Sequence, residues 1–252
     1  MRIPLLDALA AKNQTFTTAE AYKAWGAGAA TKMLLSRLEK AGWIERIEKG
    51  KYLIVPIGSG KGKYTLHEFV IASMLIQPAV IAYWSALHHH GLTEQPPRTV
   101  FIQTTGRKKC SMKEVLGLQY RVIRVRPYKL FGTRKERLES TQVEITDPEK
   151  TVVDCLDRPD LCWGIIEAAK AIAHCTLDME KLADYASRIG NTGAGRRLGF
   201  LLDRCGKSSA TISRPRARNY LLLDPSMPPG GKRDAKWGLI INLDELALGD
   251  LE

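Results

Sequence analysis

The chain contains only five cysteines, and their spacing fits neither a disulfide framework nor a zinc site. Their number is odd, and no Cys-x-x-Cys motif occurs in the 252 residues. Free thiols are typical of proteins in a reducing compartment. The sequence therefore predicts a cytoplasmic protein without structural disulfides.

Long apolar segments are also missing. No run approaches the roughly 20 residues that a membrane-spanning helix needs, so no membrane association is expected. The opening stretch MRIPLLDALAAKNQ is interrupted by Asp7, and we expect an amphipathic first helix rather than a signal peptide. With 44% hydrophobic residues, the chain is nevertheless rich enough in apolar side chains to form folded cores.

Acidic residues are the minority charge. The 27 Asp and Glu residues face 38 Lys and Arg residues, which leaves a net charge of +11. Such a balance says more about binding partners than about the fold, and nucleic acid is the most common polyanionic partner.

Motifs for catalysis or metal binding are absent as well. No Gly-x-Ser-x-Gly motif occurs, and nothing in the sequence pairs a cysteine with a histidine base. The consecutive histidines 88–90 point about 100° apart on a helix and cannot share one metal ion. We therefore predict no catalytic site, no cofactor and no metal.

One acidic group is a candidate metal or acid–base site, because paired carboxylates can hold Mg²⁺ or perform acid–base chemistry. It consists of Asp147, Glu149, Asp154 and Asp157. Helix capping and surface placement explain these residues more simply, since Asp147-Pro148-Glu149 is a typical helix start.

The most informative stretch is Thr17 to Val55, which predicts two helices and a β-hairpin. Thr17 and Glu20 have the spacing of a capping box, and Gly26 and Gly28 predict a tight turn. The second helix is predicted over residues 29–41. Its predicted apolar stripe comprises Ala30, Met33, Leu34, Leu38 and Ala41. A hairpin with its turn at Lys49-Gly50 follows. This order of elements is typical of a winged helix-turn-helix, a fold that fits the major groove of DNA.

On this interpretation, the second helix would contact bases and the hairpin, or wing, would contact phosphates. Thr31 and Lys32, with Ser36 next, are the predicted base-reading residues. The predicted phosphate-contacting cations are Arg37 and Lys40 on the helix, and Arg46, Lys49 and Lys51 on the wing. The alternatives are a merely solvated helix face or a protein-docking module.

The rest of the chain predicts a larger mixed α+β domain with a helical C-terminal part, so the expected fold class is α+β. We place the domains at residues 1–58 and 64–252. The stretch PIGSGKGK between them is predicted to be a linker or loop, and it does not have the spacing of a phosphate-binding P-loop.

Residues 106–137 form the most basic region, with eleven cations against two acids. A predicted strand, YRVIRVRP, would put Arg124 and Arg126 on one face. Together with Arg107, Lys108 and Lys109, these arginines predict a second surface for nucleic acid or an acidic partner. The alternative is a solvated sheet face.

Three segments resemble one family: TKMLLSRLEKAGWIERIEKGKYLI, YWSALHHHGLTEQPPRTVFIQT and DPEKTVVDCLDRP. They are similar to the AbiEi family, the antitoxins and transcriptional regulators of type IV toxin–antitoxin systems that act in abortive infection. The resemblance implies a repressor that binds inverted repeats in its own operator. It also implies that the protein counters a nucleotidyltransferase-like toxin without forming a stable complex with it.

Two other classes remain open at this point. A nuclease or RNA-modifying enzyme could use a winged helix to dock its substrate, and the basic C-terminal region is compatible with that function. A protein-interaction adaptor is the third class, and it would bind a partner that survives high salt.

Overall fold

The computed structural model describes residue 6 and residues 14–56, 66–107, 111–215 and 219–244. Most of the predicted first helix and most of the predicted linker lie outside the described residues. Lys108, Lys109 and Cys110 also lie outside them.

The N-terminal region forms a strand, two helices and a hairpin. The elements are β1 (Thr15–Thr17), α1 (Thr18–Trp25), α2 (Ala29–Lys40), β2 (Ile44–Glu48) and β3 (Lys51–Ile54). The three strands make one antiparallel sheet in the order β1-β3-β2. The two helices and the hairpin match the sequence prediction, whereas β1 was not predicted.

The start of α1 is a complete capping box. The Thr17 side chain accepts a hydrogen bond from the Glu20 amide at 3.2 Å, and the Glu20 carboxylate accepts one from the Thr17 amide at 2.7 Å. Two of the helix's orphan amide groups are thereby satisfied. The turn to α2 uses left-handed backbone at Gly26, with φ of +88°, which glycine adopts without steric cost.

The rotation of α2 about its axis differs from the prediction. Thr31, Leu35 and Leu38 face the core, whereas Ala30 and Met33 face solvent and Met33 is 57% exposed. Both stripes have helical spacing, so periodicity alone does not choose between them. The buried stripe packs with Phe16, Ile44 and Tyr52 around the N-terminal core.

A six-stranded mixed sheet forms the centre of the larger region. Its order is β6-β7-β5-β4-β9-β8. The β4–β9 and β5–β7 pairs are parallel, and the other pairs are antiparallel. The strands are β4 (Val80–Ile81), β5 (Thr99–Thr104), β6 (Met112–Val115), β7 (Leu118–Arg124), β8 (Thr133–Leu138) and β9 (Thr141–Thr146).

Helices cover both faces of this sheet. They are α3 (Glu68–Leu75), α4 (Tyr83–His89), α5 (Pro148–Asp157), α6 (Ile166–His174), α7 (Met179–Arg188) and α8 (Thr192–Arg204). Val100 and Ile102 pack with α3, whereas Phe101 between them packs with α4 and the later helices. This alternation is the period of two that a strand buried on both faces requires. The fold class is therefore mixed α+β, as predicted.

A small sheet closes the C-terminal end of the described chain. It contains β10 (Leu221–Leu222), β11 (Lys232–Asp234) and β12 (Leu239–Ile241), in the order β10-β12-β11. Trp237 lies directly against Gly199 of α8, where a Cβ would come within 2.3 Å of the indole ring. No helix among the described residues is long and apolar enough to cross a bilayer.

The hairpin belongs to two cores at once. Ile44 and Tyr52 pack into the N-terminal core, whereas Ile47 and Leu53 pack with Leu66 and residues of α3 and the central sheet. Apolar packing therefore crosses the predicted boundary between residues 58 and 64. The division into two domains stays a prediction, but the hairpin is held by both sides.

Candidate nucleic-acid interface

The solvent-facing side of α2 is basic along its whole length. Lys32, Ser36 and Lys40 follow one another at intervals of four residues, and Met33 and Arg37 lie beside them; all five are exposed. The first turn of α2 contains no acidic residue, and no side chain caps its N-terminus. This end of the helix therefore keeps its partial positive charge and its unpaired amide groups for an anion.

A cleft of about 540 Å³ separates this face from the hairpin. Four of the predicted DNA-contacting residues line it, namely Lys32, Ser36, Arg46 and Lys49. The remaining lining residues are Thr18, Tyr22, Leu35, Gly50 and Tyr52. The fold thus brings the middle of α2 and the tip of the hairpin to opposite walls of one concave basic surface.

The tip of the hairpin is held against the start of α1. The Gly50 carbonyl accepts a hydrogen bond from the Thr18 amide at 2.8 Å. Gly50 has a φ of +78°, and a Cβ there would lie 3.2 Å from the Thr18 hydroxyl. The neighbouring Lys49 is exposed to solvent on a turn that the hydrogen bond from Thr18 holds in place.

Arg46 is partly engaged within the protein. Its guanidinium binds the Glu39 carboxylate at 3.1 Å and lies over the Tyr52 ring, 5.7 Å from the centroid. The side chain is still half exposed. An exposed ion pair of this kind contributes little to stability, so Arg46 can exchange it for a phosphate at small cost.

Two predicted contact residues do not fit the roles assigned to them. Thr31 is 4% exposed, and its hydroxyl donates to the Gly26 carbonyl at 2.5 Å. The prediction that Thr31 contacts a base is therefore wrong, because the side chain is buried and its only donor group is used to close the turn before α2.

Lys51 is the second predicted contact residue that does not fit its role. Its ammonium group donates to the Glu48 carboxylate at 3.0 Å and to the Met74 and Leu75 carbonyls at 2.5 and 3.3 Å. Those two carbonyls end α3, so Lys51 caps that helix and completes its hydrogen bonds. The prediction that Lys51 contacts phosphate is wrong, since all three of its donors face the protein.

Glu48 connects the same corner to the central sheet. It also forms an ion pair with Lys113 of β6. Partial burial alone would raise the pKa of the Glu48 carboxyl, but the hydrogen bonds and charges of Lys113 and Lys51 hold that pKa below its ordinary value of 4.5. This three-residue charge cluster was missed from the sequence, because no local pattern links residue 48 to residue 113.

The basic region at residues 106–137 is divided by the sheet. Arg107 follows the carboxyl end of β5, Arg124 is the last residue of the parallel strand β7, and Arg126 comes two residues later; all three are exposed. Arg134, by contrast, lies on β8, four strand positions from β7, a separation of about 19 Å at 4.8 Å per strand. The run of cations in the sequence therefore makes at least two surfaces, and only the first contains the predicted residues.

The acidic group of α5 has structural partners. The Asp147 carboxylate caps the helix by accepting from the Lys150 amide at 2.9 Å. Glu149 and Asp157 bind Lys181 and Lys129, at 2.7 and 2.6 Å. Asp154 pairs with the fully buried Lys150. The capping role of Asp147 is confirmed, but the expected surface placement is wrong, because all four carboxylates are buried and bind cations or amides of the protein.

The three histidines are likewise engaged separately. His89 contacts the Glu136 carboxylate at 2.8 Å and His90 the Thr146 carbonyl at 2.6 Å, whereas His88 is exposed. His89 and His90 are thus half-buried against the β8–β9 hairpin and bind different partners. Among the described ranges, no three His, Cys, Asp or Glu residues are grouped as metal ligands.

The fold and this surface together define a mixed α+β protein with a basic helix and hairpin at its N-terminal end. Residues 4–55 match the model of a family described as "Transcriptional regulator, AbiEi antitoxin". The resemblance to the AbiEi family is thereby confirmed for the N-terminal segment. The other two resembling segments lie outside the match.

One solved structure is similar over nearly the whole chain. It is the crystal structure of the RV2827C protein from Mycobacterium tuberculosis, with a TM-score of 0.69 and 18% sequence identity; the match covers 98% of this chain and 92% of that chain. At that identity the likeness concerns the fold alone. No curated protein matches the chain.

Proposed function

We propose that the protein is a sequence-specific, DNA-binding transcriptional repressor and that its N-terminal region is a winged helix-turn-helix. The observation that carries the proposal is the concave basic surface in which exposed α2 residues face Lys49 and Arg46 of the hairpin. The match of residues 4–55 to a family of antitoxin regulators supports it independently.

The dimensions of α2 suit the major groove. A helix of 12 residues is about 18 Å long at 1.5 Å per residue, and the groove of B-form DNA is about 12 Å wide. With α2 inserted by its N-terminal half, Lys32 and Ser36 contact base edges. Met33, which the sequence analysis placed in the core, becomes a candidate apolar contact for a thymine methyl group.

The cations around the helix supply the phosphate contacts. Arg37 and Lys40 continue the exposed face of α2, and Arg46 and Lys49 approach from the wing. Four such contacts give a slope of about −3.6 in a plot of log K against log salt for each bound copy, at about −0.9 per phosphate neutralised. Two copies on an inverted repeat double that slope.

The regulatory role follows the family. The protein acts in the cytoplasm as the antitoxin of a type IV toxin–antitoxin system and represses its own operon at inverted repeats. Its functional partner is a nucleotidyltransferase-like toxin, with which it forms no stable complex. Arg107, Arg124 and Arg126 provide a further surface for nucleic acid or an acidic partner, and no enzymatic activity is proposed.

The test is binding to the DNA upstream of the gene in a gel-shift assay. We expect Lys32→Ala and Ser36→Ala to weaken binding to the operator more than binding to unrelated DNA, because both residues contact bases. Lys170→Ala, at a partly exposed lysine of α6 that pairs with Glu167, is the control for loss of one lysine away from the cleft and leaves both affinities unchanged. Wild-type binding that is equal for operator and unrelated DNA, or Lys32 and Ser36 variants that behave like the control, would overturn the proposal.

A further inference from the structure

A second cavity lies far along the sequence from the proposed DNA-contacting region. Its volume is about 870 Å³, within the range of 300–1,000 Å³ that is typical of sites for small organic ligands. The end of α7, the beginning of α8, residues 211–215, Asn219 and Leu221 line it. Nothing in the proposed DNA-binding function uses it.

The walls combine apolar and hydroxyl groups with positive charge, and the described lining residues include no carboxylate. Two arginines, Arg196 and Arg214, line the cavity. The polar lining residues are Ser187, Asn191, Thr192, Thr211, Ser213 and Asn219, and the apolar ones include Ala183, Ala186, Ile212, Pro215 and Leu221. A cavity with this lining attracts an anion and repels a cation.

Arg196 is the most informative of these residues. It is 3% exposed, and its guanidinium donates only to uncharged oxygens: the Asn219 carbonyl at 2.8 Å, the Asn219 Oδ1 at 3.1 Å and the Gly238 carbonyl at 3.3 Å. Its Nε is buried and has no hydrogen-bond partner. A buried cation that has an unused donor and makes no ion pair with the described residues is in an unfavourable state unless a ligand supplies the missing contacts.

The neighbouring Arg197, which is also buried, is an example of an arginine with a purely structural role. Each nitrogen of the Arg197 side chain has a carbonyl acceptor, from Leu223 at 2.9 Å, Leu156 at 2.8 Å and Leu222 at 3.2 Å. Asp224 and Asp157 also act on it electrostatically. Arg196 has neither the full set of hydrogen bonds nor a nearby acid among the described residues.

The start of α8 adds a second anion-binding element on the same wall. This helix has 13 residues, and its cap residue Asn191 and first residue Thr192 both line the cavity. One turn further, Gly195 also lines it, and a Cβ at that position would meet no atom within 4 Å. The positive end of the α8 dipole therefore faces the open space of the cavity.

From these observations we infer that the cavity binds a phosphorylated small molecule of up to mononucleotide size. The phosphate lies between the N-terminus of α8 and the two arginines, where it supplies the counter-charge that Arg196 needs. The hydroxyl side chains complete its hydrogen bonds. The organic part of the ligand packs on Ile212, Leu221 and their apolar neighbours.

Two variants of the full chain test this inference. In Gly195→Leu, the new side chain fills the cavity, while the substitution removes a glycine from a helix interior and so favours the fold. In Arg196→Gln, the charge is removed. Arg204→Gln, an exposed residue near the end of the same helix, is the charge-matched control.

The measurement is the melting temperature Tm as a function of ligand concentration, with inorganic phosphate, ribose 5-phosphate and 5′-AMP as probes and adenosine as the uncharged comparison. We expect a saturable rise in Tm with at least one phosphorylated probe and none with adenosine. Binding should weaken roughly tenfold or more in Arg196→Gln, disappear in Gly195→Leu, and stay unchanged in Arg204→Gln.

The outcomes separate clearly. No rise in Tm with any phosphorylated probe overturns the inference, as does an equal rise in wild type and a folded Gly195→Leu variant, because the ligand would then bind elsewhere. Gly195→Leu stands as a complete test by itself if Arg196→Gln fails to fold. The gel-shift assay of the N-terminal surface is a separate measurement, so failure of one proposal does not imply failure of the other.

Discussion

Two lysines separated by a single glycine should behave oppositely when each is changed to alanine. Lys49 is exposed at the tip of the hairpin, on the wall of the basic cleft. Lys51 points the other way, with its ammonium group on Glu48 and on the two carbonyls that end α3. We expect Lys49→Ala to affect DNA binding and Lys51→Ala to affect stability.

The magnitudes follow from the number of contacts. Losing one phosphate contact reduces the salt slope by about 0.9 per bound copy, which is a factor of about 3.5 in affinity for a fourfold change in salt. Lys51→Ala instead leaves two carbonyls without their donor, at a cost of about 1–3 kcal/mol in the free energy of unfolding. For a chain of this size, each kcal/mol lowers Tm by about 2–4 °C.

The assay is operator binding at four salt concentrations, with thermal melting of the same samples. Lys49→Ala should flatten the salt dependence and leave Tm unchanged, because an exposed side chain without a protein partner contributes little to stability. Lys51→Ala should lower Tm and keep the wild-type slope. If Lys51→Ala flattens the slope as much as Lys49→Ala does, Lys51 contacts phosphate and the assignment of the two roles is refuted.

Three further predictions concern the residues that hold this surface in place. Thr31→Val keeps the shape of the buried side chain but leaves the Gly26 carbonyl unpaired, so chemical denaturation should show a loss of about 1–3 kcal/mol in the free energy of unfolding, while operator specificity stays the same; altered base preference in binding-site selection would contradict the buried position. Thr17→Ala removes the capping box of α1 and should cost about 1 kcal/mol by the same measurement, and an unchanged free energy would show that the cap is unimportant. Glu48→Gln should make the protein less sensitive to acid. The folded pKa of Glu48 lies below 4.5, so its stabilising contribution is complete above that pH and is lost as the pH falls through the folded value; wild type and variant with equal acid dependence of the unfolding free energy would disprove this contribution.

Several local features could be predicted because their physics is short-range. The capping box at Thr17 and Glu20, the left-handed turn at Gly26 and the hairpin turn at Gly50 each involve residues no more than five positions apart. The Asp147 cap of α5 is of the same kind. Such features depend on backbone geometry and on hydrogen bonds that neighbouring residues make with one another.

The candidate interface could be predicted only in part. The exposure of Lys32, Ser36 and Lys49 could be predicted because polar and charged side chains on a short helix and on a hairpin turn rarely point inwards. Thr31 was predicted to be exposed and is buried, whereas Met33 was predicted to be buried and is exposed. Either of two helical stripes of α2 has the spacing to face the core. Packing against Phe16 and Ile44 chooses the stripe, and neither contact is local.

The amino-acid sequence by itself determined the order of the two N-terminal helices and the hairpin, the basic charge and the position of the turns between those elements, because each of these depends on composition or on residues close together in the chain. Only the tertiary structure decided that Lys51 caps α3, that the cations of residues 106–137 are split across a sheet, and that Arg196 is buried beside a basic cavity. These arrangements depend on which distant segments meet, and the free energy of that packing is not encoded in any local pattern.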